Sequence, residues 1–261
     1  MKFIILAFIF LFILVPPVIA STSLQIPKNL NKLFGEYSGC FLIKEVGSKN
    51  VKSFNETQCK KRWTPNSTYK ILNSLIGLET GIIKDKNFVI PWDGKKQPFK
   101  NWEKDHTLES AIQASAVPYY QELARRIGIQ RMQRYVSQVK YGNSDIGKIV
   151  DRFWLDGPLK INAYEQLDFI ERLYKDSLPF SKRNMSIVKE IIVKSNKDGK
   201  VFSGKTGSDY DGKNIIWGWF VGYYKNGQKE YVFVTNIFGK EKAWGRTAMK
   251  LSKKIISEMG I

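Results

Sequence analysis

The sequence predicts an α/β fold of the α+β sandwich type, in which an antiparallel sheet drawn from both chain ends is flanked by helices and joined to a helical lobe. Three observations lead there. β-rich runs lie near the N-terminus, apolar residues at helical spacing fill the middle, and the last sixty residues turn β-rich again before a closing amphipathic stretch.

Residues 37–46 and 51–54 read as two short strands joined by the turn-forming Gly47-Ser48-Lys49-Asn50. After Pro65, the residues Ile71, Leu72, Leu75, Ile76 and Leu78 repeat with the period of a helix that stops at Gly81. A polar loop containing Pro91-Trp92-Asp93-Gly94 follows, and helical patterns then occupy 108–126, 129–139, 163–175 and 182–193. Strands are expected at 200–206, 215–224 and 231–238, with Asn226-Gly227 as the hairpin signal between the last two. A final amphipathic helix covers 243–259.

The chain starts with Lys2, an unbroken apolar run from Phe3 to Val15, and Val18-Ile19-Ala20 ahead of Ser21, which is the layout of a cleavable export signal. That run is shorter than the roughly 18 residues of a spanning helix. The expectation is a signal peptide over 1–20 and one catalytic domain over 21–261. The product would be exported, periplasmic or secreted, without stable membrane insertion, as a monomer or homodimer.

A formal charge of +18 raises nucleic acid or an anionic surface as a partner. The lysines are scattered, however, with Lys60-Lys61-Arg62 and Lys95-Lys96 the densest clusters, and no finger or aromatic RNA-binding signature occurs. No nucleic-acid partner is expected. The cysteines are Cys40 and Cys59 alone. In an oxidising compartment they predict a disulfide over a metal site, with two separate buried thiols as the alternative.

One histidine, His106, leaves no multi-histidine metal site, and its setting reads as the polar entry to a helix. A hydrolase built on this chain needs another base. Ser67 and Lys70 stand three apart at the start of a helical pattern, where side chains share a face. Taken alone, the tetrapeptide suits a helix cap with a solvated lysine equally well. Lys205-Thr206-Gly207 ends a strand-like run with a cation, a hydroxyl and a glycine, a combination that can hold a carboxylate close to backbone. Ser115-Ala116-Val117 adds a second serine able to pass a proton. Together these are the signature set of serine enzymes that acylate on β-lactam rings or D-alanyl peptides.

The combination of "STYK" at 67–70, "SAV" at 115–117, "YGN" at 141–143, "FWLDGPLKI" at 153–161, "GKTG" at 204–207 and "GWFVGY" at 218–223 resembles the class D (OXA-type) serine β-lactamases, with a relation to β-lactam sensor domains. The S-D-N motif and deacylating glutamate of class A are not found. The resemblance implies a β-lactamase/penicillin-binding-protein-like fold, small-molecule β-lactam substrates, and no metal or organic cofactor. It implies Ser67 as nucleophile, Ser115 as proton relay, and Lys70 as an N6-carboxylysine, its carbamate derived from carbon dioxide. Val117, Trp154 and Leu155 would line the carbamate pocket, although an isolated Val and Trp read as core. Lys205, Thr206, Gly207, Ser208 and Arg246 would bind substrate, with Arg246 alternatively a surface charge. The runner-up activities are a sensor or penicillin-binding domain that stays acylated, and a D-alanyl-D-alanine peptidase.

Overall fold

The computed structural model describes residues 24–209, 216–239 and 242–261; the expected signal peptide over 1–20 and the start of the strand expected at 215 lie outside them. In chain order the elements are α1 (Leu30–Phe34), β1 (Ser38–Glu45), β2 (Lys52–Phe54), α2 (Glu56–Cys59), a 3₁₀ turn (Asn66–Tyr69), α3 (Lys70–Glu79) and β3 (Val89–Ile90). Then follow β4 (His106–Thr107), α4 (Leu108–Ala114), α5 (Val117–Ile127), α6 (Ile129–Val139), α7 (Ala163–Tyr174) and α8 (Lys182–Ile191). The chain closes with β5 (Val193–Lys197), β6 (Lys200–Ser208), β7 (Trp217–Asn226), β8 (Lys229–Phe238) and α9 (Gly245–Glu258).

Among the described residues six strands form one antiparallel sheet in the order β2-β1-β8-β7-β6-β5, so the N-terminal strands dock onto the C-terminal meander as expected. Both faces are covered, and the period of two along each strand sorts side chains between them. Phe41, Ile43, Phe220, Phe233 and Ile237 pack under α1 and α9, while Cys40, Leu42, Val221, Val232 and Val234 face the layer that contains α3, α5 and α7. Burial on both sides explains why β1 and β8 read as continuous apolar runs. The β7–β8 hairpin turns tightly, with Asn226 facing Lys229 and Gly227 at φ +60°. Among the described residues no helix is long and apolar enough to cross a membrane.

Two elements differ from expectation. The single helix over 108–126 is broken into α4 and α5, with Ser115 left-handed at φ 55°, ψ 35° between them. Pro118 has no N–H to give the Ala114 carbonyl in a continuous helix. That carbonyl is taken instead by the Trp102 indole N–H at 3.0 Å. The helix expected over 182–193 stops at Ile191, and Val193–Lys197 forms an edge strand whose polar, exposed sequence carries no strand pattern.

Cys40 and Cys59 are joined, tying β1 to the end of α2 across a separation of 19 residues. In the chain-entropy description a loop of this size contributes about 3 kcal/mol. Reduction, or Cys59→Ser, should therefore lower the urea midpoint, with a slope at least as steep as wild type because the unlinked denatured chain exposes more surface; an unchanged midpoint would show that the link adds nothing.

Candidate active site

The 3₁₀ turn and α3 present Ser67 and Lys70 side by side, and β6 runs past them. Gly207 is required there, because a Cβ on it would come within 2.9 Å of the Pro65 carbonyl oxygen. The approach leaves the Ser67 turn and the Lys205–Ser208 strand facing each other. Ser67 makes no helix-capping bond, and Lys70 is fully buried rather than solvated. The capping reading therefore fails on both counts.

Lys70 Nζ lies 2.6 Å from Ser67 Oγ, 3.1 Å from the Ser115 carbonyl oxygen and 3.3 Å from Ser115 Oγ. Burial lowers its pKa from 10.5 to about 7. In the neutral form its lone pair can take the hydroxyl proton of Ser67. Left-handed Ser115 owes its place here to the break before Pro118, since a continuous helix would carry it round with the turn. Strain of this kind costs about 1–3 kcal/mol and persists where the surroundings impose it.

From the strand side, Lys205 Nζ donates to Ser115 Oγ at 3.0 Å and to the Thr206 carbonyl at 3.0 Å. Ser115 Oγ therefore stands between two lysines. Burial first, then the like charges of Lys70 and Lys194, hold Lys205 well below the usual lysine range. Thr206 and Ser208 are half-buried along the same strand, and the Ser208 hydroxyl accepts from the Gly245 amide at 2.9 Å. That bond docks the start of α9 against β6, where a Cβ on Gly245 would meet the Gly207 carbonyl at 2.4 Å.

Trp154 is fully buried, stacked on Tyr69 with ring centroids 5.4 Å apart, and its indole N–H has no hydrogen-bond partner among the described residues. An unsatisfied buried donor costs about 1–3 kcal/mol, so it marks a place for an acceptor. Val117 opens α5 and is half-buried, as is Leu155 beside Trp154. The "YGN" segment holds this wall in place: the Asn143 side chain donates to Pro158 O at 2.9 Å and accepts from the Lys160 amide at 3.0 Å. A Cβ on Gly142, at φ +58°, would strike Lys160 O at 2.2 Å.

Arg246 is not brought into contact with these groups. It is exposed on the first turn of α9, in a cleft of about 330 Å³ lined by Phe99, Trp244, Arg246, Thr247 and Lys250. His106 is buried with both ring nitrogens engaged, by Ser110 Oγ at 2.9 Å and Asn101 O at 3.0 Å, in keeping with a structural role. Sequence reasoning missed the Phe99–Trp102 pair, ring centroids 4.8 Å apart, in which Trp102 holds the end of α4 and Phe99 lines the Arg246 cleft; the signal available was the cluster of aromatic residues at 92–102 in an otherwise polar loop. It also missed Gln166, whose side chain joins Thr68 Oγ1 at 2.8 Å to the Tyr141 hydroxyl at 3.3 Å. No local signal announces that link.

Comparison with known proteins finds a match of residues 27–258 to the penicillin-binding protein transpeptidase domain. The chain is 41% identical to β-lactamase OXA-5 of Pseudomonas aeruginosa over 250 residues, 93% of this chain and 94% of that one. A class D β-lactamase from Bacillus subtilis superposes with a TM-score of 0.84 at 38% identity, covering 89% of this chain and 95% of the other. The C-terminal domain of the Bacillus licheniformis BlaR penicillin receptor superposes with a TM-score of 0.85 at 32% identity, over 89% and 95% of the two chains.

Proposed function

The chain belongs to the penicillin-binding-protein transpeptidase family and within it to the class D serine β-lactamases, and from that premise we propose that Ser67, Lys70 and Ser115 carry the hydrolysis. It is a serine β-lactamase, which opens the β-lactam amide through an acyl-serine intermediate. The observation that carries the assignment of roles is the fully buried Lys70 amine, 2.6 Å from Ser67 Oγ and, among the described residues, without a carboxylate partner.

Ser67 Oγ gives its proton toward Lys70 and attacks the lactam carbonyl carbon, forming the C–O bond as the C–N bond breaks. Ser115 passes a proton to the departing ring nitrogen. The backbone N–H groups of Ser67 and Ser208 stabilise the carbonyl oxygen as it gains charge, a contribution of about 3 to 4 kcal/mol per donor. Lys205 and Thr206 hold the substrate carboxylate, with Gly207 giving the backbone room; Arg246, exposed on α9 away from them, joins only if the bound substrate extends toward its cleft.

Lys70 fits the N6-carboxylysine reading. With its pKa lowered to about 7, much of its amine is in the neutral form that carbon dioxide requires, and the unpartnered indole N–H of Trp154 is a donor for a carbamate oxygen. Val117 and Leu155 complete an apolar pocket. When bound, the carbamate supplies an oxygen base at the Lys70 position, first for the serine proton and then for the water that frees the acyl group. We read residues 1–20 as an export signal and 21–261 as one catalytic domain, acting in the periplasm or outside the cell as a monomer or homodimer.

Likeness to the BlaR receptor domain favours one second reading, a domain that acylates and stays acylated. Intact-protein mass against time after addition of a penicillin separates the two. We expect a penicilloyl adduct that forms and disappears as the drug is consumed. A persistent adduct would support the sensor reading, and no adduct on folded protein would sink both.

A further inference from the structure

A third lysine approaches this site from the strand beside Lys205. β5 pairs with β6 through a slip in register: Val193 faces Ser203 and Ser195 faces Phe202, which leaves Lys194 as the extra residue of a bulge. Bulges re-aim a side chain out of the regular alternation. Lys194 Nζ crosses to α4 and donates to Gln113 Oε1 at 2.7 Å, and the Gln113 side chain in turn donates to Ile191 O. Gln113 stands two residues before Ser115, whose hydroxyl receives Lys205 Nζ at 3.0 Å. The end of α4 is thus held by two lysines from neighbouring strands.

Among the described residues no ion pair involves Lys70, Lys194 or Lys205. The charges on the elements around Lys194 are otherwise committed. On α8, Glu190 pairs with Lys86 and Lys189 with Asp176; on α4, Glu109 acts on Lys86 and Gln113 is neutral. Lys182 and Arg183 open α8, Arg183 donating to Lys84 O; Lys197 and Lys200 lie at the far ends of β5 and β6, and Glu79 at the end of α3 accepts from Asn184, which leaves Lys205 on β6 and Lys70 on α3 as the charges of the site itself. Burial lowers Lys194 to about 8, and Lys194 in turn weighs on Lys205.

We propose that Lys194 is a positioning residue for substrate capture: acting through Lys205, its charge sets how alkaline the solution can become before Lys205 ceases to hold the substrate carboxylate. The inference rests on the reading that Lys205 binds that carboxylate. An ammonium holds a carboxylate more strongly than an amine does, so an arriving anionic substrate draws a proton from water onto Lys205. A like charge beside Lys205 opposes that uptake. The alkaline limb of kcat/KM against pH, which reports the free enzyme, then follows Lys205.

The test is that profile, on a penicillin, for wild type, Lys194→Gln, Lys194→Arg and Gln113→Glu. Removing the charge with Lys194→Gln, or offsetting it with Gln113→Glu, should move the alkaline limb to higher pH by about half a unit to one unit. Lys194→Arg, which stays charged where Lys194 at about 8 begins to lose its proton, should leave the limb in place or move it to lower pH, never higher. A limb unmoved in Lys194→Gln and Gln113→Glu, or moved equally by Lys194→Arg, overturns the proposal; if Lys194→Gln does not fold, Gln113→Glu decides. Wild-type protein that turns over no penicillin would overturn the parent reading as well, so the two failures are distinct.

Discussion

Ser67→Ala will lower kcat/KM for a penicillin by about 10⁵ to 10⁶-fold and abolish the penicilloyl adduct, while far-ultraviolet circular dichroism and the urea midpoint stay close to wild type. The large loss follows from chemistry with no substitute: among the described residues no other hydroxyl shares the 2.6 Å contact to Lys70 Nζ. Ser115 Oγ comes nearest at 3.3 Å, but it also receives Lys205. Residual activity within tenfold of wild type would remove Ser67 from the nucleophile role.

Lys70→Met should cost about 10² to 10⁴-fold in turnover, the range for a lost general base, and the protein should at the same time become more stable. Methionine fills the space with apolar atoms, whereas lysine there must be held uncharged or be charged in a dry site. The sign follows from linkage. The lysine pKa falls from 10.5 to about 7 on folding, so between those values the unfolded chain binds the extra proton. Wild-type stability therefore rises with pH across that window. Below it the penalty is constant, at most about 5 kcal/mol. In carbon-dioxide-depleted samples the stability gain of Lys70→Met should be largest near pH 6 and shrink toward pH 10, measured by urea unfolding. Bicarbonate should restore turnover to depleted wild type and do nothing for Lys70→Met. Because Ser67 and Lys70 act as one unit, the double variant should be no slower than Ser67→Ala alone.

The sheet strands other than β5 and most helices were legible because apolar residues recur along them with a strand or helix period and both sheet faces are buried. The break at Ser115 was half-legible. Pro118 is visible in the sequence, but the carbonyl it strands at Ala114 is satisfied by Trp102, twelve residues earlier, and only the folded chain shows that partner. β5 was illegible because its residues are polar and exposed, and its existence depends on the edge that β6 offers. Among the site residues, Ser67, Lys70 and Lys205 stood out by motif, and resemblance added Trp154. That the Trp154 N–H lacks a partner is a property of its surroundings, beyond the reach of any local pattern. Arg246 lay at the limit, since its distance from the other groups depends on how α9 docks through Gly245 onto β6.

The pairing of β1 with β8 sets the order in which this enzyme can come into being. Phe41 faces Thr235 and Cys40 faces Asn236, so the first long strand waits for almost the last one to be made. Contacts this remote in sequence close slowly, because the loop must be ordered before the pairing rewards it. The Ser67 turn faces a strand that likewise arrives late, so a growing chain holds its nucleophile apart from Lys205 until synthesis is nearly complete. The Cys40–Cys59 bridge, by contrast, spans few residues and can close early. It gives the N-terminal segment a fixed local shape while the strand that will complete the sheet is still to come.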